Sequence, residues 1–308
     1  MATASVCPTS SSEMLMNDMD LPQFTGSTVV CDLTQAIFQR DLTTLKALAV
    51  EKGISHTASR VYDNQKRVWR MECALVTASR LGFLEAVKVL VEAGALVDMT
   101  DQIIGKSPLH WACNRHHNDV AKFLLANGAD VDKTDYYMEP PLVEAVCHKN
   151  FGLVRLLLNH RARLDSIVNY DRDSIVLLAL SINATEIAIF LIRCGGLLST
   201  VNREGEDCMT VALTNPAIAD HSSYLIQLLL AAGFKLWIKH LDVARRIHPA
   251  LEETLTDHHN SPPLLSWLAR RAIRNHLFIV SGHSSIMAKV EQLPLPEWLR
   301  QYVLLFHI

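Results

Sequence analysis

The chain has 308 residues, 49% of them hydrophobic, and a formal net charge of -3. That length carries one elongated domain or two compact ones, and the mixed charge along it argues against a nucleic-acid footprint or a polybasic membrane anchor. The cysteines Cys7, Cys31, Cys73, Cys113, Cys147, Cys194 and Cys208 are odd in number, widely spaced and without a C-x-x-C pair, which argues against a disulfide framework or a zinc site and fits a reducing compartment.

Residues 1–28 are rich in Ser, Thr, Met and Asp and lack the basic and apolar regions of a secretory signal, so they are expected to be a disordered tail. From residue 32 onward the chain repeats itself. Leu75, Leu109 and Leu142 recur at intervals of 34 and 33, as do Ala78, Ala112 and Ala145, and Gly94 is followed by Gly128 after 34. A further 34 residues take Ala145 to Ala179, and Arg161 stands where the other units have glycine. About six units are expected, at roughly 32–54, 71–98, 105–132, 139–165, 173–197 and 208–235, with a polar insertion at 55–70.

The best unit reads Ser107-Pro108-Leu109-His110-Trp111-Ala112, then a second helix ending in Leu124-Leu125-Ala126-Asn127-Gly128-Ala129-Asp130. Proline suits the first turn of a helix, where its missing N–H costs nothing. Alanine lets neighbouring helices approach closely, and glycine supplies the positive φ that ends the second helix. No unit buries its apolar face alone, so the units must stack.

The apolar stretches 174–192 and 225–238 are both too short or too interrupted to cross a bilayer and read as buried helices. Residues 240–255 read as one terminal helix, broken or ended near Pro249, and Asp257-His258-His259-Asn260 as a polar link that closes the array.

The last segment, 261–308, holds three short amphipathic pieces. Ser261-Pro262-Pro263 is a helix start. Leu265, Ala269 and Ile273 follow at i, i+4, i+8, with Leu268, Ala272 and Leu277 in the same stripe and Arg270, Arg271 and Arg274 off it. Ser284 or Ser285 is positioned to cap a second helix carrying Ile286 and Val290. Leu293-Pro294-Leu295-Pro296 must be extended, and Pro296 opens a third helix with Leu299, Tyr302, Val303 and Phe306 on one side.

The 33–34-residue unit resembles the ankyrin repeat, and the C-terminal segment resembles a SOCS box. The whole chain from about residue 32 is thus similar to the ankyrin repeat and SOCS box proteins. The resemblance implies an all-α fold: an ankyrin solenoid with short β-hairpin tips over 32–256, then a three-helix SOCS box over 261–308. It implies that Leu265, Leu268, Ala269 and Ile273 meet Elongin C, with Ala269 standing where the family has cysteine. It also implies that Leu293, Pro294, Leu295, Pro296, Leu299 and Tyr302 meet a cullin, usually of the cullin-5 type. The family's variable positions map on Ile103, Ile104 and Lys106 of one tip, Tyr136 and Tyr137 of the next and Tyr170 of a third, with Arg115 and His148 from first helices. These are the expected substrate contacts. Tyr136 and Tyr137 lead among them, since tyrosine is favoured at interface anchors.

No catalytic constellation, metal site or cofactor signature stands out. Gly105-Lys106-Ser107 lacks the earlier glycine of a phosphate loop, because Thr100 occupies that place. His110 reads as the repeat's structural histidine, and His116-His117 and His258-His259 are adjacent pairs whose side chains diverge on a helix. The expectation is a non-catalytic substrate receptor of an Elongin B/C–cullin–RING ubiquitin ligase. Its partners are those subunits and a protein substrate rather than nucleic acid or membrane, and its location is intracellular, in the cytoplasm with the nucleus as a further site. The competing expectation is an ankyrin interaction scaffold whose C-terminal helices only cap the array.

Overall fold

The computed structural model describes residues 32–51, 59–63, 68–165, 167–168, 173–202, 204–216, 222–260 and 265–306. The expected tail at 1–28 and the helix start at Ser261-Pro262-Pro263 lie outside them. The described residues fall into two compact units, one ending at His160 and one beginning at Arg161.

The first unit holds four helix pairs: α1 (Asp32–Phe38) with α2 (Leu42–Glu51), α3 (Ala74–Arg80) with α4 (Leu84–Glu92), α5 (Pro108–Asn114) with α6 (Asn118–Ala126), and α7 (Pro141–Cys147) with α8 (Phe151–Asn159). First helices pack on first helices and second on second. The first helices are buried nearly all round, as Pro108–Cys113 of α5 shows, whereas α6 buries only the stripe Val120, Ala121, Leu124 and Leu125. Each leucine buried in such a stripe contributes about 2 kcal/mol through lost apolar hydration. The 55–70 insertion contains an antiparallel hairpin, β1 (Ser59–Asp63) with β2 (Val68–Glu72), in which Tyr62 pairs with Trp69.

Local chemistry sets each repeat. Ser107 caps α5 and Pro108 opens it. The Ser107 backbone N–H donates to His110 Nδ1 at 3.2 Å, so Nε2 is left to donate to the Glu139 carbonyl of the next tip at 2.9 Å. His110 is therefore a fully enclosed strut between repeats, and burial holds its pKa down. Gly128 ends α6 at φ 86°, and Arg161, in the same place after α8, adopts φ 68° without being glycine.

The second unit holds three more pairs: α9 (Ile175–Ser181) with α10 (Thr185–Arg193), α11 (Cys208–Thr214) with α12 (Ser222–Ala231), and α13 (Ile238–Ile247) with α14 (Pro249–Asn260). A short ladder, β3 (Ile167–Val168) with β4 (Asp173–Ser174), precedes α9. The expected break near Pro249 is present, but it divides the segment into a pair of helices, and Asp257–Asn260 belong to α14 rather than to a polar link. The third residue of α13 explains the pair. His240 repeats the role of His110: the Trp237 N–H donates to its Nδ1 at 2.9 Å, and Nε2 donates to the Asp207 carboxylate of the preceding repeat at 2.9 Å. Only His240 and Ala244 of α13 and Leu255 of α14 are buried, and the exposed remainder is mostly polar or charged, apart from Trp237 at the cap and Ile238 and Ile247 of α13.

The remaining helices are α15 (Leu265–Val280), α16 (Met287–Gln292) and α17 (Glu297–Val303). Leu277, Ile286, Val290, Val303 and Leu304 form a small core among them, with Phe278, Met287 and Leu293 packed on it. Ile286 rather than the expected serine stands at the N-cap of α16, and Ser285 Oγ accepts only the Met287 N–H, at 3.3 Å.

Candidate partner-binding surfaces

Helix α15 is turned the opposite way from an ordinary amphipathic helix. Its inner side carries Arg270, Arg274 and Leu277, all buried. Its outer side carries Leu268 at 42% exposure and Ile273 at 39%, with Ala269 and Ala272 also exposed and Ile279 and Val280 open at its end. The sequence places the arginines off the apolar stripe, but Leu268, Ala269, Ala272 and Ile273 of that stripe face out with Arg271, while its Leu277 turns in beside Arg270 and Arg274.

The arginines go inward because other elements present acceptors there. Arg274 donates through Nη1 to the Val303 carbonyl at 2.7 Å and through Nη2 to the Ile192 carbonyl at 2.6 Å, with the Arg193 carbonyl at 3.3 Å. Ile192 and Arg193 end α10, whose last carbonyls lack helical partners and carry the negative end of the helix dipole. Burial lowers the Arg274 pKa to about 10, which leaves the group charged at neutral pH. Arg270 lies 4.3 Å over the ring of Tyr302, and Arg193 lies 4.7 Å over Phe306. Further contacts join the box to the same unit: Ile286 N–H to the Cys194 carbonyl at 3.0 Å, Leu164 N–H to the His283 carbonyl at 2.8 Å, and Arg271 laid across Gly233. The box thus rests on the ends of α10 and α12 and on residues 163–165.

The segment from Leu293 to Tyr302 joins the inner side of α15 through Tyr302. Leu293 and Leu295 are half-buried, while Pro294 and Pro296 are exposed. A tight turn, Leu295 N–H to Leu293 carbonyl at 2.8 Å, interrupts the expected extended run. Pro296 caps α17, Leu299 is half-buried, and Tyr302 is half-buried against Arg270. Trp298, which sequence reasoning passed over, is exposed at the start of α17. Leu265 opens α15, but its side chain lies outside the described residues.

The tips of the first unit present Ile103, Tyr136, Tyr137 and Met138 to solvent. Met138 was not expected; it is exposed through a left-handed turn at φ 63°. Ile104 is half-buried and its carbonyl accepts the Tyr136 N–H at 2.9 Å, while the Tyr136 ring lies against Gly105, where a Cβ would collide with it. Lys106 departs from the expectation of a surface contact. It is 4% exposed, and its ammonium pairs with buried Glu144 at 2.5 Å. Glu144 stands 33 residues after Trp111, at the same place in the next first helix. Trp111 donates to Asp101 at 2.9 Å, whereas the carboxylate needs a cation and takes it from the preceding tip. Asn114 donates to Glu144 at 2.8 Å, and half-buried His148 lies 3.6 Å from it. Burial alone would raise the Glu144 pKa, but the His148 contact and the Lys106 charge bring it down to about 2. Arg115 is half-buried at the end of α5, and Tyr170 lies outside the described residues.

The paired histidines diverge. His116 meets the His148 ring edge-on at 5.3 Å, and His117 Nε2 donates to the Arg80 carbonyl at 3.1 Å. Among the described residues no three His, Cys, Asp or Glu side chains are grouped to hold a metal, no helix is long and apolar enough to cross a membrane, and the five cysteines form no disulfide.

Comparison with known families matches ankyrin repeats, in three copies, over residues 33–135 and the SOCS box over residues 261–304. The chain matches the ankyrin repeat and SOCS box family. Its fold is that of this family, helical ankyrin repeats followed by a helical SOCS box. Individual relatives align over part of the chain. The chain is 44% identical over 62 residues to human protein phosphatase 1 regulatory subunit 27, covering 20% of this chain and 40% of that protein. It is 43% identical over 53 residues to mouse ankyrin repeat domain-containing protein 40, covering 17% and 15%. It is 32% identical over 91 residues to the Arabidopsis thaliana E3 ubiquitin-protein ligase XBAT33, covering 29% and 18%. The chain thus spans less than half the length of each of these curated relatives.

Proposed function

We propose that the chain is the substrate-recognition subunit of an Elongin B/C–cullin–RING ubiquitin ligase, with a cullin-5-type scaffold. The ankyrin array holds a protein substrate, marked for ubiquitination and proteasomal degradation, and the box holds the ligase. The observation that carries this reading is the outward apolar face of α15. A helix that buries two arginines and exposes leucine, isoleucine and alanine leaves an apolar surface that a partner would cover. Leu265, Leu268, Ala269 and Ile273 are assigned to Elongin C. Leu293 to Pro296, Leu299 and Tyr302 are assigned to the cullin. The chain supplies no chemistry of its own; it raises the effective concentration of E2-linked ubiquitin near substrate lysines. Such a receptor works inside the cell, in the cytoplasm and the nucleus.

The scaffold reading has less support, because the outer end of the second unit is already closed by the mostly polar side of α13–α14. The test is copurification of the full chain with Elongin B/C and with the cullin–RING pair. The wild-type chain is expected to retain Elongin B/C and Ile273→Asp to lose it. Ala269→Cys is expected to bind more tightly, and Pro294→Ala with Pro296→Ala to lose the cullin while keeping Elongin. Failure of both the wild-type chain and Ala269→Cys to bind Elongin B/C would end the proposal.

A further inference from the structure

Taking the box as the ligase-binding part, as proposed above, we infer that Arg193 of the array is a positioning residue for cullin recruitment: it fixes the end of α17, the helix that carries Leu299 and Tyr302, and takes no part in Elongin binding. Helix α17 has seven residues. A helix so short does not hold itself together in water, so its direction is set by what packs on it. Its end is tightly folded. The Leu304 N–H closes the helix on the Arg300 carbonyl, Leu305 turns left-handed at φ 64°, and the Phe306 N–H returns to the Gln301 carbonyl at 3.0 Å. Phe306 is thereby tied to the backbone of α17, and whatever holds its ring holds the helix end.

Three arginines hold this end, and they come from two parts of the unit. Arg270 and Arg274 belong to α15: the first lies over the Tyr302 ring, and the second donates to the Val303 carbonyl. Arg193 belongs to α10, and its guanidinium lies 4.7 Å from the centre of the Phe306 ring. Tyr224 of α12 keeps it there, since the Tyr224 hydroxyl accepts from Arg193 Nη2 at 2.5 Å. The Arg193 carbonyl in turn accepts from Arg274 at 3.3 Å, so residue 193 meets the box through both its backbone and its side chain. A cation suits the place twice over, because an aromatic face and the last carbonyls of a helix both attract positive charge. The residues assigned to Elongin C lie elsewhere. Leu268, Ala269 and Ile273 are on the outer side of α15, whereas the Arg193 side chain bears on Tyr224 and Phe306. Loosening Arg193 therefore shifts the presentation of Leu299 and Tyr302 and leaves the outer side of α15 as it is.

The test is calorimetric titration of a cullin-5–RING pair into the full chain saturated with Elongin B/C, with the affinity of the chain for Elongin B/C measured separately. Arg193→Met keeps the bulk of the side chain and removes the cation. It should bind the cullin pair about two- to fivefold more weakly, the size of one cation–π contact at a partly exposed ring, with its affinity for Elongin B/C unchanged. Phe306→Ala should weaken the cullin pair as well, and Arg193→Met with Phe306→Ala should weaken it no further than the stronger single variant, because both remove one shared contact. Equal cullin affinity in the wild type and Arg193→Met, or losses that add in the double variant, would overturn the inference. So would a loss of Elongin B/C in step with the cullin, which would make Arg193 a stabiliser of the whole box. A wild-type complex that takes up no cullin would remove the cullin reading and this inference with it, whereas a wild-type complex that binds the cullin no better than Arg193→Met removes this inference alone.

Discussion

Single residues carry two of the structure's less ordinary choices. Glu144 occupies a buried place that Trp111 fills one repeat earlier, and Lys106 makes it tolerable. Replacing Lys106 by Met strands a buried carboxylate and should cost about 3–5 kcal/mol in denaturant unfolding. Lys106→Met with Glu144→Leu should recover most of that loss, because an apolar pair of similar size needs no compensation. The pH dependence has a definite sign. The Glu144 pKa is lowered from 4.5 to about 2 in the folded chain, so its stabilisation is fully present above about pH 4.5 and is lost as the pH falls toward 2. The wild-type melting temperature should therefore drop across that window more steeply than that of the double variant. Arg161 is the second case. It holds a left-handed conformation at φ 68° where other repeats use glycine, and Arg161→Gly should raise stability by about 1 kcal/mol, measured by the same unfolding.

At the scale of elements, α15 is governed by Arg274 more than by its apolar stripe. Its guanidinium ties α15 to α17 and to the last turn of α10. Arg274→Ala takes this donor from the Val303 carbonyl and leaves the Ile192 carbonyl to backbone N–H groups alone, and loss of charge-assisted hydrogen bonds of this kind should cost about 3 kcal/mol. Amide hydrogen exchange should rise at α17 and at the end of α10. Arg274→Lys should recover only part of this, because an ammonium does not reproduce the planar fork that serves carbonyls on two elements. Unchanged exchange in Arg274→Ala would mean that the small core of Leu277, Ile286, Val290, Val303 and Leu304 alone holds the box in place.

For the whole molecule, the question is what the last helices do for the array. The box sits against α10 and α12, and the mostly polar side of α13–α14 closes its unit. A chain ending at residue 260 should therefore stay folded, with helical circular dichroism and cooperative unfolding, and a melting temperature lowered by several degrees for a loss of about 2–3 kcal/mol. A chain ending at residue 236 should instead aggregate, because the apolar sides of α11 and α12 would lose their neighbour. If the chain ending at 260 fails to fold, the box is a structural cap after all.

The repeats were readable in advance because each is decided within about 35 residues, by helical spacing, a capping serine and a glycine turn, and because solenoid contacts join sequence neighbours. Pro108, Gly128 and His110 do in the structure what their positions announce. The seventh pair was missed because Trp237 and Ile238 replace the serine and proline of that start, and only His240 at the third position signals it. The burial of Lys106 and the inward turn of Arg270 and Arg274 on α15 belong to tertiary structure. Arg274 finds the Ile192 carbonyl 82 residues away, a partner no local period encodes. The sequence by itself determined the periodic elements and the motif that ends the chain. Which side of α15 faces out was decided only when the end of α10 offered carbonyls to one face and left leucine and isoleucine on the other.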